Sequence, residues 1–206
     1  MHLNGNSTRE RILQIALHLF AQSGYEAVSV SDIAAQLGIT KGALYRHYAS
    51  KRDIFNSIVS RMAQMDAEQA RACALPDGLA AEMPNAYRQA SLAQLFAFCR
   101  VQFKYWTQAP FPADFRRMLT LEQYRSAEMN RLYQQYLGAG PLDYTAELLR
   151  AQGFTDVRQR ALSLYAPMFF AYTLYDAENG AEAANALMEA HFSRLEAAWT
   201  TDERKC

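Results

Sequence analysis

Residues 29–55, SVSDIAAQLGITKGALYRHYASKRDIF, contain the pattern that decides the fold of this chain. Ser29, followed three residues later by Asp32, matches a capping box at the start of a helix. The apolar residues of that helix share one face, and they are Val30, Ile33, Ala34 and Leu37. Gly38 then supplies the left-handed conformation that commonly ends a helix. The pattern predicts a helix followed by a turn of about three residues.

A second, shorter helix is predicted from Lys41 to His47, with Thr40 as its N-cap. Its outward-facing residues are Lys41, Ala43, Tyr45, Arg46 and His47. Such a set is unsuited to a protein core but suits phosphate and base-edge contacts in a DNA major groove. Two short helices joined by a glycine turn also occur in many all-helical proteins that bind no DNA.

The density of matching positions favours the DNA-binding interpretation, because this block resembles the DNA-binding domain of the tetracycline-repressor (TetR) family. The matching residues are Arg9, Ile12, Leu13, Ala16, Leu19, Phe20, Gly24, Tyr25, Ser29, Ile33, Ala34, Gly38, Lys41, Gly42, Leu44, Tyr45, Tyr48, Lys51 and Phe55. They cover about a quarter of the chain, and the remainder resembles the family only in length and in being helical.

The resemblance and the side-chain chemistry together assign roles within this segment. The residues expected to hold phosphates are Thr40, Lys41, Tyr45, His47 and Lys51, assisted by Ser29 or Ser31. Arg46 is the candidate for reading a guanine, because its guanidinium can bond O6 and N7 together. Gly42 is expected to let the backbone approach the DNA. The resemblance implies double-stranded operator DNA as the partner and transcription regulation as the function.

Composition is compatible with a globular protein that has a sizeable core. The chain has 206 residues, of which 50% are hydrophobic, and no apolar run approaches the 18 residues of a membrane span. The N-terminal sequence MHLNGNSTRER lacks the apolar run of a signal peptide, so we expect a cytoplasmic protein without a membrane partner. Cys73, Cys99 and Cys206 show no metal-ligand spacing and are interpreted as free thiols.

The net charge is zero, but the charge is unevenly distributed. Residues 1–52 contain six basic and three acidic side chains, which gives +3 there and −3 in the remainder. A basic end suits a protein that presents that end to a polyanion, although small numbers also fluctuate by chance.

The whole chain is predicted to be all-α, with helices bounded by glycine, proline and capping residues. A first helix is expected from about Ser7, capped by Ser7 or Thr8, to Ser23, and a fourth from Lys51 to Cys73 with a capping box of Ser50 and Asp53. The further predicted helices span about 85–108, 113–120, 121–137, a dozen residues ending at 152, 156–178 and 181–200. These elements divide into a DNA-binding domain at 1–50, a linking helix at 51–73, and a domain at 74–206.

The second domain is rich in aromatic residues, with eleven of them in residues 87–136. Most are expected in the core. Arg100 lies on the aromatic face of a predicted helix, where it either contacts a ligand, pairs with an acid or reaches solvent. The resemblance implies an enclosed pocket for a small hydrophobic or aromatic effector. Its candidate lining residues are Phe96, Arg100, Phe103, Met118, Leu121, Tyr124, Phe169 and Tyr172.

The last two predicted helices are the candidates for dimerisation. Residues 161–174 are apolar around nearly the whole helix, and Pro167 is expected to kink it. In the resembled family, the two final helices form a four-helix bundle with those of a second copy. The candidate interface residues are Leu164, Met168, Leu187, His191, Phe192, Leu195 and Trp199.

The sequence contains no motif for catalysis, a metal or a cofactor. His2, His18, His47 and His191 are scattered, and neither a phosphate-binding glycine loop nor a nucleophile elbow is present. The resemblance implies a ligand-responsive transcriptional regulator, most simply a homodimeric repressor released from its operator by the effector. The alternatives are a regulator that takes no ligand and an all-helical enzyme whose active site leaves no local motif.

Overall fold

The computed structural model describes residues 3–203, with side chains from residue 8 to residue 201. This part of the chain is all-α, as predicted, and contains no strand. The helices are α1 (Leu3–Ser23), α2 (Val30–Leu37), α3 (Lys41–Tyr45), α4 (Lys51–Ala72), α5 (Pro84–Gln89), α6 (Leu92–Gln108), α7 (Pro110–Glu122), α8 (Ala127–Leu137), α9 (Ala139–Ala151), α10 (Val157–Asp176) and α11 (Ala181–Glu203).

Several predicted boundaries were wrong for identifiable local reasons. Helix α1 begins at Leu3, so Ser7 and Thr8 lie within it and do not cap it. The expected helix at 85–108 is two helices, because the Ser91 hydroxyl caps α6 by accepting the N–H of Gln94. Ser50 accepts the N–H of Asp53, but the Asp53 carboxylate accepts from Ala49, so this capping box is incomplete.

In the middle of the chain, prolines predicted to lie between helices are in the first turns of helices. Helix α7 begins at Pro110, because proline is well tolerated in the first turn of a helix. Helix α8 begins only at Ala127, where the Ser126 hydroxyl accepts the N–H of Met129. The expected stop at residues 138–141 is confined to Gly138, and Pro141 lies in the first turn of α9.

The chain forms two compact units, and each unit is built from two separate stretches of the sequence. Unit 1 contains the residues up to Met65 together with Pro110–Tyr133, and unit 2 contains Asp66–Ala109 and the residues from Gln134 onward. In unit 1, α1 packs against α2 and α7, and α2 packs against α3. In unit 2, α10 packs against α9, α6 and α11, and α11 also contacts α6.

The core of unit 1 is built from the apolar faces that the sequence predicts. Its fully buried side chains include Ile12, Phe20, Ile33, Leu44, Ile54, Phe55 and Ile58. Tyr25 packs edge-on against both Phe20 and Phe55, with ring centroids 5.2 and 5.1 Å away. This aromatic contact fixes the loop between α1 and α2 from below.

Two further observations concern membrane-spanning helices and the cysteines. No described helix is long and apolar enough to cross a bilayer. Cys73 and Cys99 are free, and burial raises the pKa of the Cys99 thiol to about 12, so that it stays protonated. Cys206 lies outside the described residues.

Candidate DNA-binding site

The turn between α2 and α3 has the hydrogen bonding that the sequence predicts. The Ser29 backbone N–H donates to the Asp32 carboxylate at 2.8 Å, and the Asp32 N–H donates to the Ser29 hydroxyl at 3.2 Å. Gly38 has a φ of +69° and closes the helix with its N–H bonded to the carbonyl of Ala35. These bonds make the angle between the two helices a property of the local sequence.

Helix α3 is short and two-sided. The Thr40 hydroxyl accepts the N–H of Ala43 at 3.1 Å, which confirms the predicted cap. The helix ends at Tyr45, earlier than the predicted His47, and Arg46 is its C-cap. Leu44 is fully buried beneath it, so the opposite side of α3 faces outward.

The outward side carries three polar side chains that form no hydrogen bond or ion pair with the described residues. Lys41, Arg46 and His47 make no side-chain hydrogen bond or ion pair with any described residue. Tyr45 is also exposed, and the Lys41 ammonium lies 5.9 Å from the centroid of its ring. A Cβ atom at Gly42 would have the Thr40 hydroxyl, at 4.0 Å, as its nearest neighbour. Internal packing therefore does not require glycine at this position.

Lys51 has a different environment from the other predicted phosphate contacts. Its ammonium donates to the carbonyl of Tyr25 at 2.9 Å and lies 4.3 Å above the centroid of the Tyr25 ring. The Glu26 carboxylate is 3.9 Å away. These contacts hold the loop between α1 and α2, so Lys51 positions the helices in the protein itself.

The start of α2 carries a fixed negative charge. Hydrogen bonds from the Ser29 side chain and backbone lower the pKa of Asp32 below its ordinary range. The carboxylate thereby occupies the Ser29 N–H, and the Ser29 hydroxyl is used in the cap. Of the two serines predicted to assist a phosphate, only Ser31 keeps a hydroxyl without a partner among the described residues.

Residues 110–133 support these helices through contacts that sequence reasoning missed. The Tyr25 N–H donates to the Glu122 carboxylate at 2.9 Å, and the His18 ring is 2.9 Å from the Asp114 carboxylate. Arg52 forms a two-pronged ion pair with Glu128. The partners are 76 to 97 residues apart in the chain, so no local sequence pattern predicts these contacts.

The eight predicted effector-binding residues are divided between the two units. Phe96 packs on Trp199, and Phe103 stacks on Tyr172 with centroids 5.7 Å apart. The residues of the set that lie in unit 1 are Met118, which is fully buried, Leu121, which is exposed, and Tyr124, which is 87% exposed. Phe169 is exposed as well. A side chain as exposed as Tyr124 cannot line an enclosed pocket.

Within that set, Arg100 is paired with acidic side chains. Its guanidinium pairs with the carboxylates of Glu189 at 3.0 Å and Glu196 at 2.9 Å. It thereby links α6 to α11 and takes the structural role that the sequence left open.

Most of the predicted dimerisation residues are buried within the chain itself. Leu164, Met168, His191, Phe192 and Trp199 are buried, and Leu195 is half-buried. The five buried side chains are packed within the chain itself, so they are not exposed to a second copy. Of the predicted set, only Leu187 is exposed. Leu187 lies on α11, and the large exposed apolar side chains of α10 are Leu162, Phe169 and Phe170.

Comparison with known proteins supports the identity of the N-terminal part and the fold of the whole. The family model for bacterial regulatory proteins of the tetR family matches residues 12–58. A curated relative, the HTH-type transcriptional regulator AcrR of Shigella flexneri, is 45% identical over 51 residues, which are 25% of this chain. The matched segment spans only 24% of the length of that relative.

Solved structures resemble nearly the whole chain. A complex of SmeT with triclosan matches with a TM-score of 0.65 and 18% identity over 93% of this chain and 91% of that one. SmeT is described as the repressor of a multidrug efflux pump of Stenotrophomonas maltophilia. The fatty acid degradation regulator FadR from Bacillus halodurans matches with a TM-score of 0.62 and 19% identity over 91% of this chain and 94% of that one.

These relatives and neighbours are regulators and not enzymes by their descriptions. The structures, at identities below 25%, establish the fold alone. The specific match is the capped helix-turn-helix with its polar outward face, and it lies in the segment that the family model covers. Residues 12–58 thus match the family model of bacterial regulatory proteins of the tetR family, and the helix-turn-helix lies within that match.

Proposed function

We propose that this protein is a transcriptional repressor that binds a pseudo-palindromic operator as a homodimer and is released by a small hydrophobic effector. The observation that carries the proposal is the outward side of α3. Lys41, Arg46 and His47 make no side-chain hydrogen bond or ion pair with a described residue, and they lie beside an open backbone position at Gly42. Lysine and arginine side chains without an ion pair, next to an accessible backbone, suit a polyanionic duplex.

Within this site, Lys41, Tyr45, His47 and the Thr40 hydroxyl contact phosphates. The Thr40 oxygen accepts a backbone N–H, but its proton is still available to donate. Ser31 adds a donor at the start of α2, and Lys51 acts by holding the preceding loop. Arg46 reads a guanine, since its guanidinium offers paired donors that match O6 and N7.

The homodimer forms through the exposed apolar side chains of α10 and α11. Leu162, Phe169 and Phe170 on α10 and Leu187 on α11 remain in solvent in a single chain. The two helices pack against each other, so their outer faces are adjacent. Pairing with a second copy would bury these side chains and present two α3 helices about one turn of DNA apart.

Release by an effector is supported by the fold and by one neighbour. SmeT, whose structure resembles this chain, is a repressor, and one of its structures is a complex with triclosan. Unit 2 contains many aromatic side chains that suit apolar ligands. An effector can shift operator affinity only by binding the two states of the dimer unequally.

The test is selection of bound DNA from a random duplex library with the full-length protein. We expect enrichment of a two-fold related sequence whose half-sites are about one helical turn apart. A thermal-shift screen of apolar compounds follows, and each compound that binds is retested for operator release. Absence of any enriched sequence would contradict the proposal, and binding without release would favour the regulator that takes no inducing ligand.

A further inference from the structure

Unit 2 contains a polar pair that the DNA-binding function does not use. The Gln102 amide on α6 donates from Nε2 to Oδ1 of Asp66 on α4 at 3.2 Å. Gln102 is only 8% exposed, and Asp66 is partly buried. Both residues belong to the same compact unit, so the pair is a feature of its interior.

The other end of the Gln102 amide has no partner. Its Oε1 atom is buried and accepts no hydrogen bond from any described residue. Buried side-chain oxygens in native proteins nearly always have a donor, since an unpaired one loses its bonds to water and gains nothing. The carbonyl of Gln102 therefore has an open position for a hydrogen-bond donor.

The negative charge of the Asp66 carboxylate is likewise not neutralised by a described basic side chain. The carboxylate forms no ion pair with a described basic side chain, and it accepts a hydrogen bond from Gln102. Burial raises the pKa of Asp66, and the hydrogen bond from Gln102 opposes that effect. Removing a carboxylate from water without supplying a cation is unfavourable, so a positive charge beside it would be stabilised.

Two tyrosines of unit 2 lie close enough to Asp66 to be affected by its charge. Burial, together with the charge of Asp66, raises the pKa of Tyr136 to about 12, and the same causes contribute to a raised pKa for Tyr144. The Tyr136 ring contacts Trp106 with centroids 6.3 Å apart, and Tyr144 contacts Phe98 at 6.1 Å. Neutral phenol and indole rings attract organic cations through their faces.

We propose that unit 2 binds an organic cation, a protonated primary amine on an apolar or aromatic body. Its N–H groups donate to the Asp66 carboxylate and to Oε1 of Gln102, and the rings contact its body. This inference rests on the proposed response to an effector and specifies the chemistry of that effector. An amine fits better than an alcohol, because it supplies both a charge for Asp66 and a second donor for Gln102.

Calorimetric titration of the full-length protein with matched compounds tests this inference. The probes are 3,3-diphenylpropylamine, the corresponding alcohol and the corresponding carboxylic acid, which share one body and differ in the head group. Octylamine and octanol repeat the comparison with a slim body. We expect at least one amine to bind tenfold or more tightly than its alcohol, and the acid to bind more weakly than both.

Variants then assign the preference to the pair. Asp66→Asn and Gln102→Leu should each reduce the affinity for the amine about tenfold and leave that for the alcohol unchanged. Asp143→Asn, which removes an exposed carboxylate paired with Arg158 in the same unit, should change neither. Thermal unfolding of each variant verifies that it is folded.

Distinct results would overturn this inference or the proposed function. Equal affinities for amine and alcohol, an amine preference that survives Asp66→Asn, or no binding by either amine would overturn the organic-cation site. A preference for the acid would also overturn it. An anion would need the Nε2 donor of the Gln102 amide, which would mean that the amide has the opposite orientation. If the amine binds through Asp66 but the operator complex is unaffected, the site stands and the release model fails.

Discussion

The backbone N–H of Tyr25 donates a 2.9 Å hydrogen bond to the carboxylate of Glu122, a residue 97 positions later in the chain. Glu122 is 1% exposed, and Arg125 pairs with it at 3.2 Å. The Tyr25 carbonyl accepts from Lys51, so both backbone groups of Tyr25 are held. The loop that leads into α2 is therefore fixed by α7 on one side and by the start of α4 on the other.

Replacement of Glu122 should destabilise unit 1. Glu122→Ala leaves the buried Tyr25 N–H without an acceptor, which should cost about 1–3 kcal/mol of the free energy of unfolding. Glu122→Gln keeps an acceptor oxygen and should cost less. Urea unfolding measures both, with Glu178→Ala at an exposed position as the control, where we expect a change within about 0.5 kcal/mol. Equal losses for the Ala and Gln variants would contradict this assignment.

Gly24 should be intolerant of alanine for two separable reasons. Its φ is +85°, and a Cβ there would lie 2.6 Å from Oε1 of Glu122. Gly38 has a φ of +69° with no atom near its Cβ position, so Gly38→Ala measures backbone strain alone, about 1–2 kcal/mol.

Gly24→Ala should cost more than Gly38→Ala, because Glu122 must also move away from the Tyr25 N–H. Arg125, which pairs with Glu122, has its Nη1 atom 2.9 Å from the same Cβ position, but this side chain is free to move once Glu122 is removed. Most of the excess should therefore disappear when Gly24→Ala is made in the Glu122→Ala background, which a double-mutant cycle measures. An excess that persists in that background would show that the strain has another source.

The helix-turn-helix could be predicted from the sequence because local contacts determine it. Ser29 with Asp32, Gly38 and Thr40 each act within four residues, and the structure confirms all of them. The Ser91 and Ser126 caps are just as local, but both follow stretches that look helical throughout, so the breaks at these residues were missed.

The long-range contacts could not be predicted by such reasoning. Arg100 lies on an aromatic face, and nothing near it in the sequence reveals that Glu189 and Glu196 neutralise it. Similarly, the pattern of α11 shows apolar residues at helical spacing but does not tell which of them face the chain's own core. Phe192 proved to be buried at 1% exposure, whereas Leu187 is exposed.

Asp66→Asn should increase stability at neutral pH. Because burial raises the pKa of Asp66, the native state binds more protons than the unfolded state between about pH 3.9 and that raised pKa. Stability contributed by the protonated carboxyl is therefore lost as the pH rises through this range. Asparagine does not titrate and still offers Gln102 an acceptor.

Urea unfolding from pH 3.5 to 8 checks this sign. The variant should match the wild type at the acidic end and exceed it at neutral pH. Lower stability of the variant at pH 7 would mean that a cation already compensates the carboxylate.

Arg46→Ala and Lys41→Ala should weaken operator binding in different ways. Loss of Arg46 should relax base preference at one position per half-site and cost about 1–3 kcal/mol there, whereas loss of Lys41 should weaken all sequences alike and lower the salt slope by about one per subunit. Binding assays at several salt concentrations separate the two effects. Arg158→Ala removes an exposed arginine from unit 2 and should alter neither property. Uniform weakening by Arg46→Ala would reassign it to a phosphate.

Two charge substitutions should distinguish the outer face of α10 from the core beneath α11. Phe170 is 63% exposed, so Phe170→Glu should leave the subunit folded and convert the proposed dimer to monomers with weak operator binding. Phe192 is 1% exposed, so Phe192→Glu would place a charge in the core and should cause unfolding. Sedimentation at micromolar concentration gives the oligomeric state, and circular dichroism verifies folding. A Phe170→Glu variant that stays dimeric would exclude this face as the interface, because an unpaired carboxylate at the centre of an apolar contact strongly opposes association.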